Sequence, residues 1–344
     1  MTDSGQAEGP LHVVAVGSAL VDVLARTSDD QLDRLGLVKG AMALVDRSQS
    51  ATIYGQMAPG TEVSGGSAAN TVAGVAALGG AAGFICKVAD DEFGDLFVHD
   101  LSATGVVLGR TPRAATQRPD GAEAATGHCL VFITPDGERT MATHLGVAST
   151  LGPDDVDPAL VGRAQVVYLE GYLWDLEPAK AALRRAVELA HAADGLVALT
   201  VSDPFCVERH RREFLDLLES DVDVLFANEQ EAVSLFGTSS FDKAVTAVEE
   251  TGLLAALTRG AAGSVVVGPH GPQPVPAVPV EQVVDSTGAG DLFAAGFLYG
   301  LTHGMDPEAC AALGGVCAAE VISHVGARPE ADLRRLAEQA GLAR

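Results

Sequence analysis

The chain's hydrophobic pattern begins with LHVVAV (11–16), a β-branched apolar run that stops at Gly17 and predicts a buried strand. Small and aliphatic residues at helical spacing follow over 68–78, halted by Gly79-Gly80. A strand is expected over 84–88 and a helix over 95–104. From about 110 to 145 the pattern breaks into short segments, with TPDG (134–137) as a hairpin turn between LVFI and RTMATH. Beyond it, strands are expected over 164–171, 196–203, 222–228, 253–260 and 264–268. Helices fall over 177–193, 208–219, from EAVSLF onward, over 291–301 and over 307–323. The Pro-rich PHGPQPVPAVPV (269–280) reads as an extended loop.

Alternating strands and helices imply a parallel sheet covered by helices on both faces. Two stretches, within about 18–65 and 110–145, do not keep that period and predict a small sheet lying against the main one. No repeat, coiled coil or low-complexity linker divides the sequence, so one domain over 1–344 is expected.

Composition narrows the partners. Of 344 residues, 46 are Asp or Glu and 22 Lys or Arg, a net charge of −24. This argues against nucleic acid and against an anionic membrane surface, both of which require clustered cations. A small anion is still admissible, because a few backbone amides can hold phosphate. The five cysteines, at 86, 129, 206, 310 and 317, are odd in number and show no CxxC spacing. Reduced thiols and a cytoplasmic location are therefore expected, without disulfide or zinc. MTDSGQAEGP lacks the basic and apolar regions of a signal peptide. The Ala- and Gly-rich stretch 67–85 contains Asn70 and Thr71 and reads as a packed helix and strand rather than a membrane span.

Candidate chemistry concentrates in VVDSTGAGDLFAAGFLYGL (283–301). A strand is predicted to end at Asp285, and Gly288, Ala289 and Gly290 lead into an apolar helix. Consecutive amides at a helix start make a cradle for an anion whose charge grows during reaction. Asp291, beside that cradle, is placed to orient a hydroxyl and accept its proton. Asp is also a good N-cap, which competes with that reading. The patterns GxxxxGK[ST], HExxH and GxSxG are absent, and no strand–GxGxxG–helix unit with its later acidic residue occurs.

DSTGAGD followed by FAAGF resembles the C-terminal signature of the ribokinase-like (PfkB) family of carbohydrate and nucleoside kinases, with Ser286 in place of the usual Thr. SGGSAANTVAGVAALGG (64–80) resembles its N-terminal signature. GSALVDV (17–23), NEQE (228–231), TRGAAGS (258–264) and SHVGARP (323–329) extend the likeness over most of the chain. The resemblance implies an α/β fold, a ribokinase-like three-layer α/β/α sandwich with a mostly parallel central sheet and a small β-sheet lid. It implies transfer of the γ-phosphoryl of ATP to an alcohol, with Mg²⁺ and a K⁺-type monovalent cation site near Asp285.

The same resemblance assigns roles. Asp291 is the base, with Gly288, Ala289 and Gly290 the anion hole, and Arg139 reaches the transferred phosphate. Asp22, Gly65, Gly66, Ser67 and Asn70 face the acceptor. Asn228, Thr258, Gly260 and Gly326 face the nucleotide, while Arg259 is solvated. Glu231 orders magnesium, joined by Ser202 and Asp203. TGHCLVFITPDGERTM (126–141), YLEGYLWD (168–175) and LFANEQE resemble bacterial adenosine kinases, so adenosine is the expected acceptor and AMP the product. Met42, Leu44, Leu130, Phe132 and Phe205 are candidate base-pocket walls, although residues of these types are more often plain core. Inosine, guanosine, ribose and fructose are alternatives. A non-catalytic nucleoside sensor is disfavoured by the intact Asp291, Asn228 and Glu231. The protein is expected as a monomer or as a homodimer through the lid.

Overall fold

A computed structural model describes residues 9–109, 124–136 and 138–342. Its larger sheet has nine strands: β1 (Leu11–Val16), β5 (Ala82–Ile85), β6 (Val107–Leu108), β9 (Ala164–Glu170), β10 (Leu196–Thr200), β11 (Val224–Asn228), β12 (Leu254–Thr258), β13 (Ser264–Gly268) and β14 (Gly271–Val275). They lie in the order β14-β13-β12-β11-β10-β9-β1-β5-β6. Pairing is parallel from β12 through β6, and antiparallel only where β13 and β14 join.

The continuous apolar runs of the sequence are explained by burial on both faces. In β1, Val13 and Ala15 enter one core while Val14 and Val16 enter the other. One core is covered by α5 (Pro158–Val161), α6 (Glu177–Ala192), α7 (Pro204–Ser220), α8 (Glu229–Phe236) and α9 (Phe241–Thr251). The opposite core is covered by α3 (Ser67–Ala77), α4 (Glu92–Ala103), α10 (Ala289–Thr302), α11 (Pro307–Val321) and α12 (Leu333–Gln339). Close helix contact there depends on small residues. A Cβ on Gly74 would meet Ala295 Cβ at 2.7 Å. Among the described residues no helix is long and apolar enough to cross a membrane.

The smaller sheet has five strands in the order β3 (Met42–Leu44), β8 (Arg139–His144), β7 (Gly127–Ile133), β2 (Leu20–Arg26), β4 (Thr61–Gly65). Its two faces differ. Val23, Leu130, Phe132 and Ala142 pack with Leu32 of α1 (Asp29–Leu35) and Ile53 of α2 (Arg47–Tyr54). Leu130 and Phe132 therefore belong to a helix-covered core and do not wall a ligand pocket. The register aligns Asp22, Cys129, Val131, Arg139, Met141 and Met42 on the other face.

Several sequence expectations are corrected. Part of 269–280 is a strand: β14 pairs with β13, Val265 opposite Pro274 and Val267 opposite Pro272. Proline is tolerated because β14 is an edge, where a missing N–H can face away from the ladder. The strand expected to end at Asp285 does not form. Residues 283–285 instead run beside α11, with Val284 N donating to the Ile322 carbonyl at 2.8 Å. The helices α1, α2 and α12 are no longer than eight residues and give little periodic signal, whereas α9, eleven residues with Phe241, Ala244, Val245 and Val248 on one face, is an amphipathic pattern the sequence reading missed. The hairpin at 134–137 forms as expected, its Gly137 lying outside the described residues.

Candidate active site

The connections leaving β1 and β9 diverge, one toward β5 and the other toward β10, so a crevice opens at the carboxyl ends of these strands. Gly17-Ser18, Glu170, Ser202, Asn228 and Thr258 all sit along that edge. Glu170 is buried and organises the first loop. Its carboxylate accepts from Ser18 N at 2.8 Å and from Ala68 N at 3.0 Å. Burial pushes its carboxyl up to about 7, against the pull of those amides.

Asp291 stands in the first turn of α10, whose N-cap Gly288 adopts φ +78°. The first turn of any helix leaves amides without intrahelical partners, here those of Gly290 and Asp291. Ala289 N points back to Ser286 O at 3.3 Å. A Cβ on Gly290 would meet nothing within 4 Å, so the space before the cradle is open. Asp291 is held from α3: Ser67 Oγ donates to one oxygen at 2.7 Å and Asn70 Nδ2 to the other at 2.9 Å. Burial raises the Asp291 carboxyl above the ordinary range, and these two donors oppose the rise. Asn70 is buried, and its Oδ1 has no hydrogen-bond partner among the described residues.

Asp22 reaches the same place from β2. Its carboxylate presses on the backbone of Gly65, where a Cβ would stand 2.3 Å from Oδ2. Gly66, at φ +95°, turns the chain into α3 against the Ser18 carbonyl. Burial pushes Asp22 up to about 6, with Arg328 and Arg139 pulling it down and Asp291 pushing it up. Arg139, on β8, forms an ion pair with Asp285. Asp285 also accepts from Thr287 N at 2.9 Å and Gly326 N at 2.7 Å.

Asn228 caps α8 and forms a reciprocal box with Glu231. Glu231 N donates to Asn228 Oδ1 at 2.9 Å, while Asn228 N and Nδ2 donate to the carboxylate at 2.8 and 2.6 Å. Glu231 is buried and pushed up to about 7, and Asp203 adds to the effect. Ser202 carries φ +74°, unusual for a non-glycine, and its Oγ accepts from Tyr172 N at 3.2 Å. Ser67, Ser202, Asn228, Glu231, Thr258 and Asp291 line one cavity, which Gly290 also borders. An adjoining cleft of about 430 Å³ is lined by Asn228, Glu229, Val233, Thr258, Arg259 and Gly260. Arg259, expected to be solvated, pairs with Glu229 at 3.2 Å and stacks over Phe241. Met42, Leu44 and Phe205 are exposed.

Glu170 and Arg328 are the residues that sequence reading missed. Glu170 ends a strand at the level of the other site residues, the one signal available for it. Arg328 lies in SHVGARP, but its partners Ser64 and Ala69 are more than 250 residues away.

The chain is similar to known proteins over most of its length. The family model described as pfkB family carbohydrate kinase matches residues 40–333. A probable sugar kinase from Rhizobium etli is similar at 44% identity, covering 97% of this chain and 99% of its own, with a TM-score of 0.90. The adenosine kinase of Sinorhizobium meliloti is similar at 45% identity, covering 96% and 100%, with a TM-score of 0.89. The ATP-dependent ribose-1-phosphate kinase of Halopiger xanaduensis is 31% identical over 330 residues, 94% of this chain and 96% of that protein. With its three-layer sandwich, the chain belongs to the pfkB family, as a ribokinase-like phosphotransferase that uses a hydroxyl group as acceptor.

Proposed function

We propose that the protein transfers the γ-phosphoryl group of ATP to the 5′-hydroxyl of adenosine, giving AMP and ADP. The observation that carries this reading is the presentation of Asp291. Both its oxygens are fixed by Ser67 and Asn70, it adjoins open amides at the head of α10, and Asn70 Oδ1 beside it awaits a donor. Adenosine is favoured by the likeness to the Sinorhizobium enzyme over nearly the whole chain.

Asp22 and Asn70 hold the acceptor's hydroxyls, while Gly65 and Gly66 let it approach the backbone. Phosphoryl transfer passes through a loose transition state, so alignment and charge neutralisation dominate. The acceptor oxygen forms its bond to phosphorus as the bond to the ADP oxygen breaks, and the hydroxyl proton passes to Asp291. A weak base suffices when the proton leaves late. The open amides at the head of α10, those of Gly290 and Asp291, receive the charge developing on the transferred group, with Gly288 and Ala289 shaping the hole and Arg139 helping. Asn228, Thr258, Gly260 and Gly326 surround the nucleotide.

Magnesium fits without a protein cage. Among the described residues no group of three or more His, Cys, Asp or Glu is placed to hold a metal ion. Mg²⁺ retains several waters and takes phosphate oxygens, so Glu231 and Asp203 are sufficient as outer partners. Bound there, it would neutralise phosphate charge. Both Glu231 oxygens already accept from Asn228, which suits contact through water. The smaller sheet serves as the lid, with Arg139 reaching Asp285 across the cleft and excluding water.

A second reading is a sugar or sugar-phosphate acceptor, favoured by the 31% identity to the Halopiger enzyme. ADP release measured with adenosine, inosine, guanosine, ribose, fructose and ribose 1-phosphate separates the two. The highest kcat/KM is expected with adenosine. Preference for ribose 1-phosphate or a free sugar overturns the acceptor assignment. Tight nucleoside binding without turnover favours a sensor.

A further inference from the structure

Arg328 is a cation beside the site to which the mechanism gives no role. It lies three residues after Val325 and two after Gly326, whose amide holds Asp285 at the entrance to the α10 cradle. From there its guanidinium crosses to the acceptor half. Nη1 donates to the Ala69 carbonyl at 2.7 Å, Nε to the Ser64 carbonyl at 3.2 Å and Nη2 to Ser64 Oγ at 3.3 Å. Ser64 precedes the Gly65-Gly66 turn, and Ala69 precedes Asn70. One planar fork therefore brackets the turn on which Asp22 presses and the helix start that fixes Asp291. Asp22, Asp291 and Asp100 are the carboxylates that act on it, while burial pulls it down to about 10. Tying 64–70 to 323–329 makes the position of the acceptor's contacts depend on the loop beside the nucleotide.

We propose that Arg328 is a positioning residue that couples the nucleotide loop 323–329 to the acceptor turn 64–70, so that occupancy of one half-site orders the other. This rests on the kinase reading above, but it concerns a link between two segments and can fail separately. Coupled sites commonly change each other's affinity by roughly 5- to 150-fold. Removing the cation also leaves Asp22 and Asp291 with less to offset their burial, so their protons are held to higher pH.

The test compares wild type, Arg328→Lys and Arg328→Met. Hydrogen exchange is followed with and without ADP, alongside pH profiles of kcat/KM for adenosine. In wild type, ADP is expected to slow exchange at 64–70 as well as around 285–292. In Arg328→Met that effect disappears from 64–70. The adenosine KM rises by about tenfold, and the acid limb moves to higher pH. Arg328→Lys keeps the charge and restores the acid limb, but it cannot span Ser64 and Ala69, so KM stays raised. Equal ADP protection of 64–70 in wild type and Arg328→Met overturns the link. So does a loss of thermal stability in Arg328→Met with KM and pH profile unchanged. If wild type phosphorylates adenosine while ADP leaves 64–70 unaffected, the link alone is wrong. If ADP protects 64–70 in wild type but not in Arg328→Met, and no acceptor is phosphorylated, the acceptor reading alone is wrong. A wild type that binds no ADP overturns both.

Discussion

The two halves of the cleft use glycine for opposite purposes. In the acceptor half the protein itself fills the space: a Cβ on Gly65 would strike the Asp22 carboxylate at 2.3 Å, and one on Gly17 would stand 2.6 Å from Ala68 Cβ. In the proposed nucleotide half a Cβ on Gly260, Gly290 or Gly326 would meet nothing within 4 Å, although one on Gly288 would stand 2.8 Å from Ala327 Cβ. The first half is a packed interior that holds polar groups rigidly. The second is a surface cleared for something the protein does not supply. Gly260 and Gly326 hold positive φ and would be strained by any side chain, so the contrast is read at Gly290, where filling the cradle should cost binding and turnover, against Gly65, where a clash costs stability.

The largest effect is expected where the halves meet. Asp291→Asn should leave adenosine binding, measured by calorimetry, close to wild type. It should lower single-turnover phosphorylation by roughly 10²- to 10⁴-fold, the usual worth of a positioned acid or base. Unchanged turnover would remove Asp291 from the chemistry. Next, Gly65→Ala forces Asp22 aside and should cost about 1–3 kcal/mol of stability in chemical denaturation, typical of overpacking. The adenosine KM should rise with it. An undisturbed variant would show that the two halves are packed alike.

Gly290→Ala sharpens the contrast from the other side. Alanine suits a helix better than glycine, so the melting temperature should hold or rise. The kcat/KM for ATP should nonetheless fall about tenfold, which is about 1.4 kcal/mol. A variant that loses stability instead would contradict the open cradle.

A further effect is a pH dependence. Glu170 and Glu231 are pushed up to about 7, and Asp22 to about 6. In the unfolded chain these groups release their protons near their ordinary values of 4.5 and 3.8. The folded protein thus holds protons that the unfolded chain releases. The stabilisation is complete below the unfolded values and is lost as pH rises toward about 7. Melting of the ligand-free protein between pH 5 and 8 should show a falling midpoint, and Glu170→Gln should flatten it. If Asp291 is the base, turnover should rise with pH as that carboxyl, raised by burial, ionises. A midpoint that climbs with pH would mean that burial does not hold the protons of Asp22, Glu170 and Glu231.

Local signals made much of this legible. The β1 run, the helices α6 and α11, and the DSTGAGD turn are contiguous patterns whose period or spacing belongs to the element itself. The parts that escaped depend on distant partners. Extended residues 283–285 look like strand, yet they pair only with a helix end at Ile322. Leu130 and Phe132 could be read as core or as pocket wall, because alternation on β7 does not say which face α1 and α2 will cover. Ser67 and Asn70 were legible as site residues, but their hold on Asp291 spans more than 220 positions. The reach of Arg328 to Ser64 spans more still.

Prolines 272 and 274 in β14 bear on how the protein behaves in a crowded solution. An open sheet offers unpaired backbone donors at its rim, a template onto which another chain can add. Here one rim strand carries two residues without an N–H, and the opposite rim, β6, is two residues long. Neither margin of the large sheet gives an incoming strand much to grip. With a strongly acidic exterior repelling like molecules, this sheet should resist self-association even where the chain is abundant.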